Sequence, residues 1–260
     1  MGEFEIVVTI DGETYTEKQL ARFEYYRTLH VLHEMKRLGA EIKYEGKELT
    51  DEEINWIDPE KAENILLNLK TGMSEQEMLG LFDGPERDAE RRWKEYASDY
   101  DPKEAHIGIT EMTVKGADIK STMAVIGGAG DKRDVMKTFP EHYIVIGDIS
   151  EGQRGMEVFG MFGEPVYVHG VTSEVPAGLP VEDDPAYPVK AFGEMNLRRD
   201  DTPIHVGAYH QFCPMPDGFK VKSTFFCPGK APDAIADGHK LHFAMEIANS
   251  ARIAYEKAAK

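Results

Sequence analysis

The sequence predicts an α+β protein in which a curved, mainly antiparallel sheet grips one long C-terminal helix, preceded by a helical N-terminal section. Three observations predict it. Residues 1 to about 100 are dominated by strong helix formers, and seven strand-like runs follow between His106 and Phe226 with no long helices alternating among them. The chain from Asp233 to the end is helical in character again. These boundaries suggest a helical section or lid over 1–100 and a catalytic or binding domain over 101–260.

The elements justify themselves in order. FEIVVTI alternates as a short strand and DGE supplies a turn. Thr16 is a candidate N-cap for a helix running to Leu38, with Gly39 as its stop. Asp58 followed by Pro59 opens a second helix to Leu69, and further helices fit Ser74 to Phe82 and Pro85 to about Tyr96. SDYDPKE breaks this section off. HIGITEMTV, STMAVIGG, EHYIVIGDI, MEVFGMF, PVYVHGV, HVGAYHQFC and FKVKSTFF then read as strands, and PMPDG turns the last two into a hairpin. The Pro, Gly and acidic stretch from Ser173 to Arg199 reads as a loop that borders a pocket or simply connects.

Composition narrows the function. Apolar residues make up 41% of the 260, enough for a packed core. With 47 acidic against 30 basic residues the net charge is -17, and no basic stripe offsets it, so nucleic acid is not an expected partner. No apolar run approaches the roughly 20 residues that span a bilayer, and the first residues lack a basic, then apolar, leader pattern, so no membrane partner is expected and the cytoplasm is the expected compartment. Cys213 lies beside the hairpin turn and Cys227 far from it, which predicts free thiols. IGGAGDKRD lacks the Lys-Ser/Thr ending of a phosphate loop, and no serine nucleophile elbow occurs.

The chemistry concentrates in HKLHFAMEIANSARIAYEKA. His242 and Glu246, four apart, project from one helix face, and Asn249 continues it. An imidazole and a carboxylate at this spacing suit a borderline divalent ion, with the remaining ligands drawn from the sheet. The bland alternative is a polar pair on a packed helix. Candidate partners are His142, just before a strand, and Glu157 beside a short apolar run; each is either a ligand or an ordinary solvated side chain. Strand alternation puts Ala208, His210 and Phe212 on one face with Phe219, Val221, Ser223 and Phe225, so His210 is either a proton donor to substrate or a hydrogen-bonded core histidine. His30, His33 and Glu34 form a second, more exposed metal-like grouping on the first helix.

Five segments together carry a resemblance: EMTVKGADIKSTMAV (111–125), FPEH (139–142), GMEVFG (155–160), AYHQFCPMPDGFKVKSTFF (208–226) and the helix with His242 and Glu246. Over about residues 105–255 the chain resembles the diacetylphloroglucinol hydrolase and phloretin hydrolase family of carbon–carbon bond hydrolases. The resemblance implies a helix-grip, Bet v 1-like domain and a divalent metal, Zn²⁺ first and Mn²⁺ or Fe²⁺ next, held by His142, Glu157, His242 and Glu246. It also implies His210 beside the scissile acyl group and Glu151 as a further acidic residue in the pocket. The substrate it implies is a 1,3-diketone, either an acylphloroglucinol-type compound or a cyclic 1,3-diketone; the oligomeric state, monomer or homo-oligomer, is open. Two departures stand out: Phe139 replaces the family's histidine before proline, and Lys222-Ser223-Thr224-Phe225-Phe226 replaces its Arg-Ser-Arg-Phe-Trp stretch. The second reading is a module that binds aromatic or polyketide-like ligands in the same cavity without changing them.

Overall fold

The computed structural model describes residues 3–161, 163–171 and 178–260. The N-terminal section opens with strands β1 (Glu5–Ile10) and β2 (Glu13–Tyr15) and continues into helix α1 (Glu17–Arg37). Thr16 caps α1 as expected, accepting from the Gln19 amide while the Gln19 side chain accepts from the Thr16 amide. A small hairpin of β3 (Lys43–Tyr44) and β4 (Lys47–Glu48) follows, then α2 (Asp51–Asn55), α3 (Pro59–Gly72), α4 (Glu75–Leu81) and α5 (Asp83–Ala97). Asp58 and Ser74 are N-caps.

The rest alternates sheet and short helix: β5 (His106–Lys115), α6 (Ile119–Ile126), α7 (Lys132–Lys137), β6 (His142–Ile146), β7 (Arg154–Glu157), β8 (Val166–Val171), β9 (Val189–Leu197), β10 (Pro203–Met215), β11 (Gly218–Cys227) and α8 (Asp233–Ala258). Nine strands form one antiparallel sheet in the order β2-β1-β5-β11-β10-β9-β8-β7-β6. At 26 residues α8 is about 39 Å long, and it lies against the sheet where β5 offers Gly108, whose absent side chain leaves room for the Ala236 carbonyl.

Three expectations are corrected. STMAVIGG is helix, not strand: Asp118 caps α6 by accepting from the Ser121 amide, and its β-branched and apolar residues are buried at helical spacing. The Ser173–Arg199 stretch contains β9 within its span, because pairing to β10 and β8 overrides the local composition; residues 173–177 of that stretch lie outside the described residues. The run MEVFGMF is strand only to Glu157, then turns at Phe159–Met161, with Phe162 outside the described residues. The β10/β11 hairpin keeps the expected face, His210 opposite Ser223 and Ala208 opposite Phe225, and both cysteines are free.

Two apolar cores place the helical section. One joins the inner sheet face and α8 to Leu20, Ala89 and Trp93. The other joins α1–α4 to Tyr143, Ile144, Met156, Val158 and Tyr167 of the β6–β8 edge. Among the described residues no helix is long and apolar enough to cross a membrane.

Candidate metal centre and cavity

α8 is buried on several sides between the sheet and the helices, and its ligand face follows from helix spacing alone. His239, His242 and Glu246 stand three and four residues apart, so they line one face turn over turn. The sheet side arises differently. β6 and β7 pair so that His142 lies opposite Glu157, with a bulge between His142 and Ile144. The bulge sends the His142 ring toward α8 while Tyr143 points away, donating its hydroxyl hydrogen to Glu34 of α1.

The four residues meet. His142 Nε2 and His242 Nε2 are 3.1 Å apart. Glu157 Oε2 is 3.7 Å from the first and 3.8 Å from the second, and Glu246 Oε1 is 3.8 Å from His142 Nε2. His142, His242 and Glu246 form a group whose donor atoms can all hold one metal ion, and Glu157 reaches the same two rings.

The donor chemistry fits a divalent cation. Two neutral imidazoles and two carboxylates would balance a doubly charged ion, and among the described residues no Lys or Arg pairs with either carboxylate. Burial, and then the Glu246 charge, pushes the Glu157 carboxyl up to about 8; burial pushes Glu246 up to about 7. Burial also brings His142 down to about 3, helped by the Lys70 charge, and holds His242 well below the usual imidazole range. A cation between these groups would supply the charge that ionised carboxylates need there.

Second contacts set the rings. The Thr138 hydroxyl donates to the Val135 carbonyl at 2.8 Å, so its oxygen is left to accept from His142 Nδ1 at 3.3 Å. That fixes the proton on Nδ1 and turns the Nε2 lone pair to the centre. Phe139 stacks on His242 with ring centres 3.8 Å apart and planes at 16°.

The helical section holds the strand that carries His142. Lys70 of α3, buried, donates to the Met136, Phe139 and Pro140 carbonyls at 3.0, 3.2 and 3.0 Å. Asn249 of α8 donates to the Thr138 carbonyl at 3.1 Å and to Glu24 of α1 at 2.7 Å. Arg27 of α1 pairs with Glu141 and donates to the Met161 carbonyl at 2.7 Å, tying the segment before His142 to the turn after Glu157. Spacing gave no warning of these contacts, since each partner is more than 60 residues from the segment it holds.

Beside the centre lies a cavity of about 130 Å³, the scale of a small ring compound. Its walls include Phe159, Phe225 and Phe243 but, among the described residues, no tyrosine. His210 lines it, buried, with Nδ1 2.9 Å from Ser223 Oγ, and burial brings its imidazole down to about 4. Glu151 is not brought in: it is exposed at the end of the turn Ile149–Glu151, and Ile149 lines the cavity where an acidic group was expected. The grouping on α1 also disperses, with His33 2.8 Å from Asn55 Oδ1 and Glu34 bound to Tyr143. His239 was not singled out from sequence, although its spacing to His242 carried the signal. Comparison with protein-family models and with curated protein sequences finds no match.

Proposed function

We propose that the chain is a metal-dependent hydrolase that cleaves a carbon–carbon bond in a 1,3-diketone, of acylphloroglucinol type or a cyclic 1,3-diketone. The reading rests on the family resemblance and, above all, on one observation: His142, Glu157, His242 and Glu246, drawn from two strands and a helix, face one another beside a ring-sized apolar cavity. α8 lying on the inner face of an antiparallel sheet is consistent with a helix-grip, Bet v 1-like domain.

Those four residues would hold the ion, Zn²⁺ on this reading. A divalent ion supplies Lewis acidity and brings the deprotonation of water toward neutral pH. The chain's own groups do the rest. The phenylalanine walls take a flat diketone and exclude bulk water. Addition of water to one carbonyl and rupture of the adjacent carbon–carbon bond leaves an enolate, because the second carbonyl accepts the electron pair. His210, kept in place by Ser223, orients this part of the substrate, or takes the proton that the attacking water gives up and returns it to the carbanion carbon.

The test is metal analysis of purified protein followed by assay of acylphloroglucinols and cyclic 1,3-diketones. One equivalent of metal, with acid released as diketone absorbance falls, is the expected result. Tight diketone binding without product would instead establish a binding module, and absence of stoichiometric metal would overturn the reading.

A further inference from the structure

The second histidine of α8 has a defined polarity. His239 is 3% exposed, and its Nδ1 accepts the Gly160 amide hydrogen at 3.2 Å. An imidazole that accepts at Nδ1 must carry its hydrogen on Nε2. No protein group among the described residues takes that hydrogen, although the ring lines the cavity. Because the ring lines the cavity, the natural partner of this donor is what enters there, since an unpaired donor beside a largely apolar space is costly.

The ring is also packed on three sides. It stacks between Phe225, with ring centres 3.8 Å apart, and His242, at 4.3 Å, and meets Phe243 edge-on at 4.6 Å. The contact that sets its tautomer is built by two glycines. A Cβ on Gly238 would overlap the Gly160 carbonyl, and Gly160 has φ +80°, so only this pairing lets the turn press its amide onto the helix. His242 on one side belongs to the metal cluster, and Phe243 separates His239 from His210, whose ring is 5.0 Å from it.

We infer that His239 is a substrate-binding donor whose Nε2–H donates to the second oxygen of a 1,3-dioxygenated ligand, the oxygen that carries enolate charge. This rests on the proposed function for its ligand class, but not on turnover. The donor gives a hydrogen bond and keeps its proton, so it favours the enolate over the neutral diketone.

The test uses full-length Zn²⁺-loaded protein and cyclohexane-1,3-dione, with ultraviolet absorption to follow ionisation of the bound diketone. His239→Asn keeps an acceptor near the Nδ1 position for Gly160 and removes the Nε2 donor, whereas His239→Gln offers a donor near the Nε2 position. The expected result is unchanged metal stoichiometry in both, affinity for the enolate reduced roughly tenfold or more in His239→Asn, a raised pH of ionisation of the bound diketone, and substantial recovery in His239→Gln. Wild-type behaviour of His239→Asn would overturn the inference. So would loss of metal from both variants, which would make His239 a prop for His242. If the wild type binds the diketone without cleaving it, the hydrolase reading fails while the Asn and Gln comparison still decides the role of His239.

Discussion

The two halves of the candidate metal centre are held by different means. On α8, His242 and Glu246 need only the helix: four residues of regular backbone set their separation, and stacking by Phe139 and His239 holds the imidazole. On the sheet edge, His142 and Glu157 depend on a bulged strand pair, on the neighbouring Thr138, and on side chains from far away in sequence, Arg27 and Lys70. A local scaffold tolerates changes around it, whereas an assembled one is only as accurate as its clamps. The helical N-terminal section is therefore a part of the site's support, through α1 and α3.

The sharpest way to break this comparison is to remove the helix ligand itself. His242→Ala should abolish stoichiometric metal and lower turnover by roughly a thousandfold or more, because ionisation of water near neutral pH is lost. Normal metal content and turnover in that variant would contradict its place at the centre.

Next in size is the clamp. Arg27→Ala leaves Glu141 buried, with its side chain 0% exposed, and without its guanidinium partner. Denaturant unfolding should show a loss of about 3–5 kcal/mol, and metal affinity should fall although no ligand has changed. Equal stability of variant and wild type would show that the sheet edge holds itself.

Thr138→Val is subtler. It preserves shape, removes the acceptor that fixes the His142 tautomer, and should weaken metal binding roughly 10- to 100-fold with little change in fold. Competition with a chelator measures it, and an unchanged constant would mean that the Val135 backbone, which also hydrogen-bonds His142, suffices to set the ring.

Acidity sharpens the same contrast. Without a cation, Glu157 and Glu246 keep their protons up to about 8 and about 7, above the ordinary 4.5. The folded chain then binds more protons than the unfolded one in that window, so these groups withdraw stability as pH rises through it. An ion must displace those protons, so the gain in Tm on adding Zn²⁺ should grow from about pH 6 to about pH 8 and then level off. A gain that shrinks over that range would contradict the carboxylate assignment. The smallest effect belongs to exposed Glu151, where Glu151→Gln should change turnover by less than about twofold; a large loss would place it back in the chemistry.

Much of the fold could be read from local signals. The caps at Thr16, Asp58 and Ser74, the alternation in β1 and the β10/β11 hairpin are decided within a few residues by backbone hydrogen bonding and turn chemistry. α6 was misread because Thr122, Val125 and Ile126 suit a strand by composition, and only the Asp118 cap and the burial pattern select the helix. Glu151 was misplaced because a nearby acidic residue has no spacing rule to say which way its strand end turns.

What the sequence determined by itself is the helix side of the site, since a 3.6-residue period puts His239, His242 and Glu246 on one face wherever the helix sits. Only the tertiary structure decided that His142 and Glu157 join them, because strand register, the bulge at Tyr143 and the clamps from α1 and α3 are contacts between distant segments. Such contacts form only when the cores close, and nothing within a few residues of either ligand encodes them.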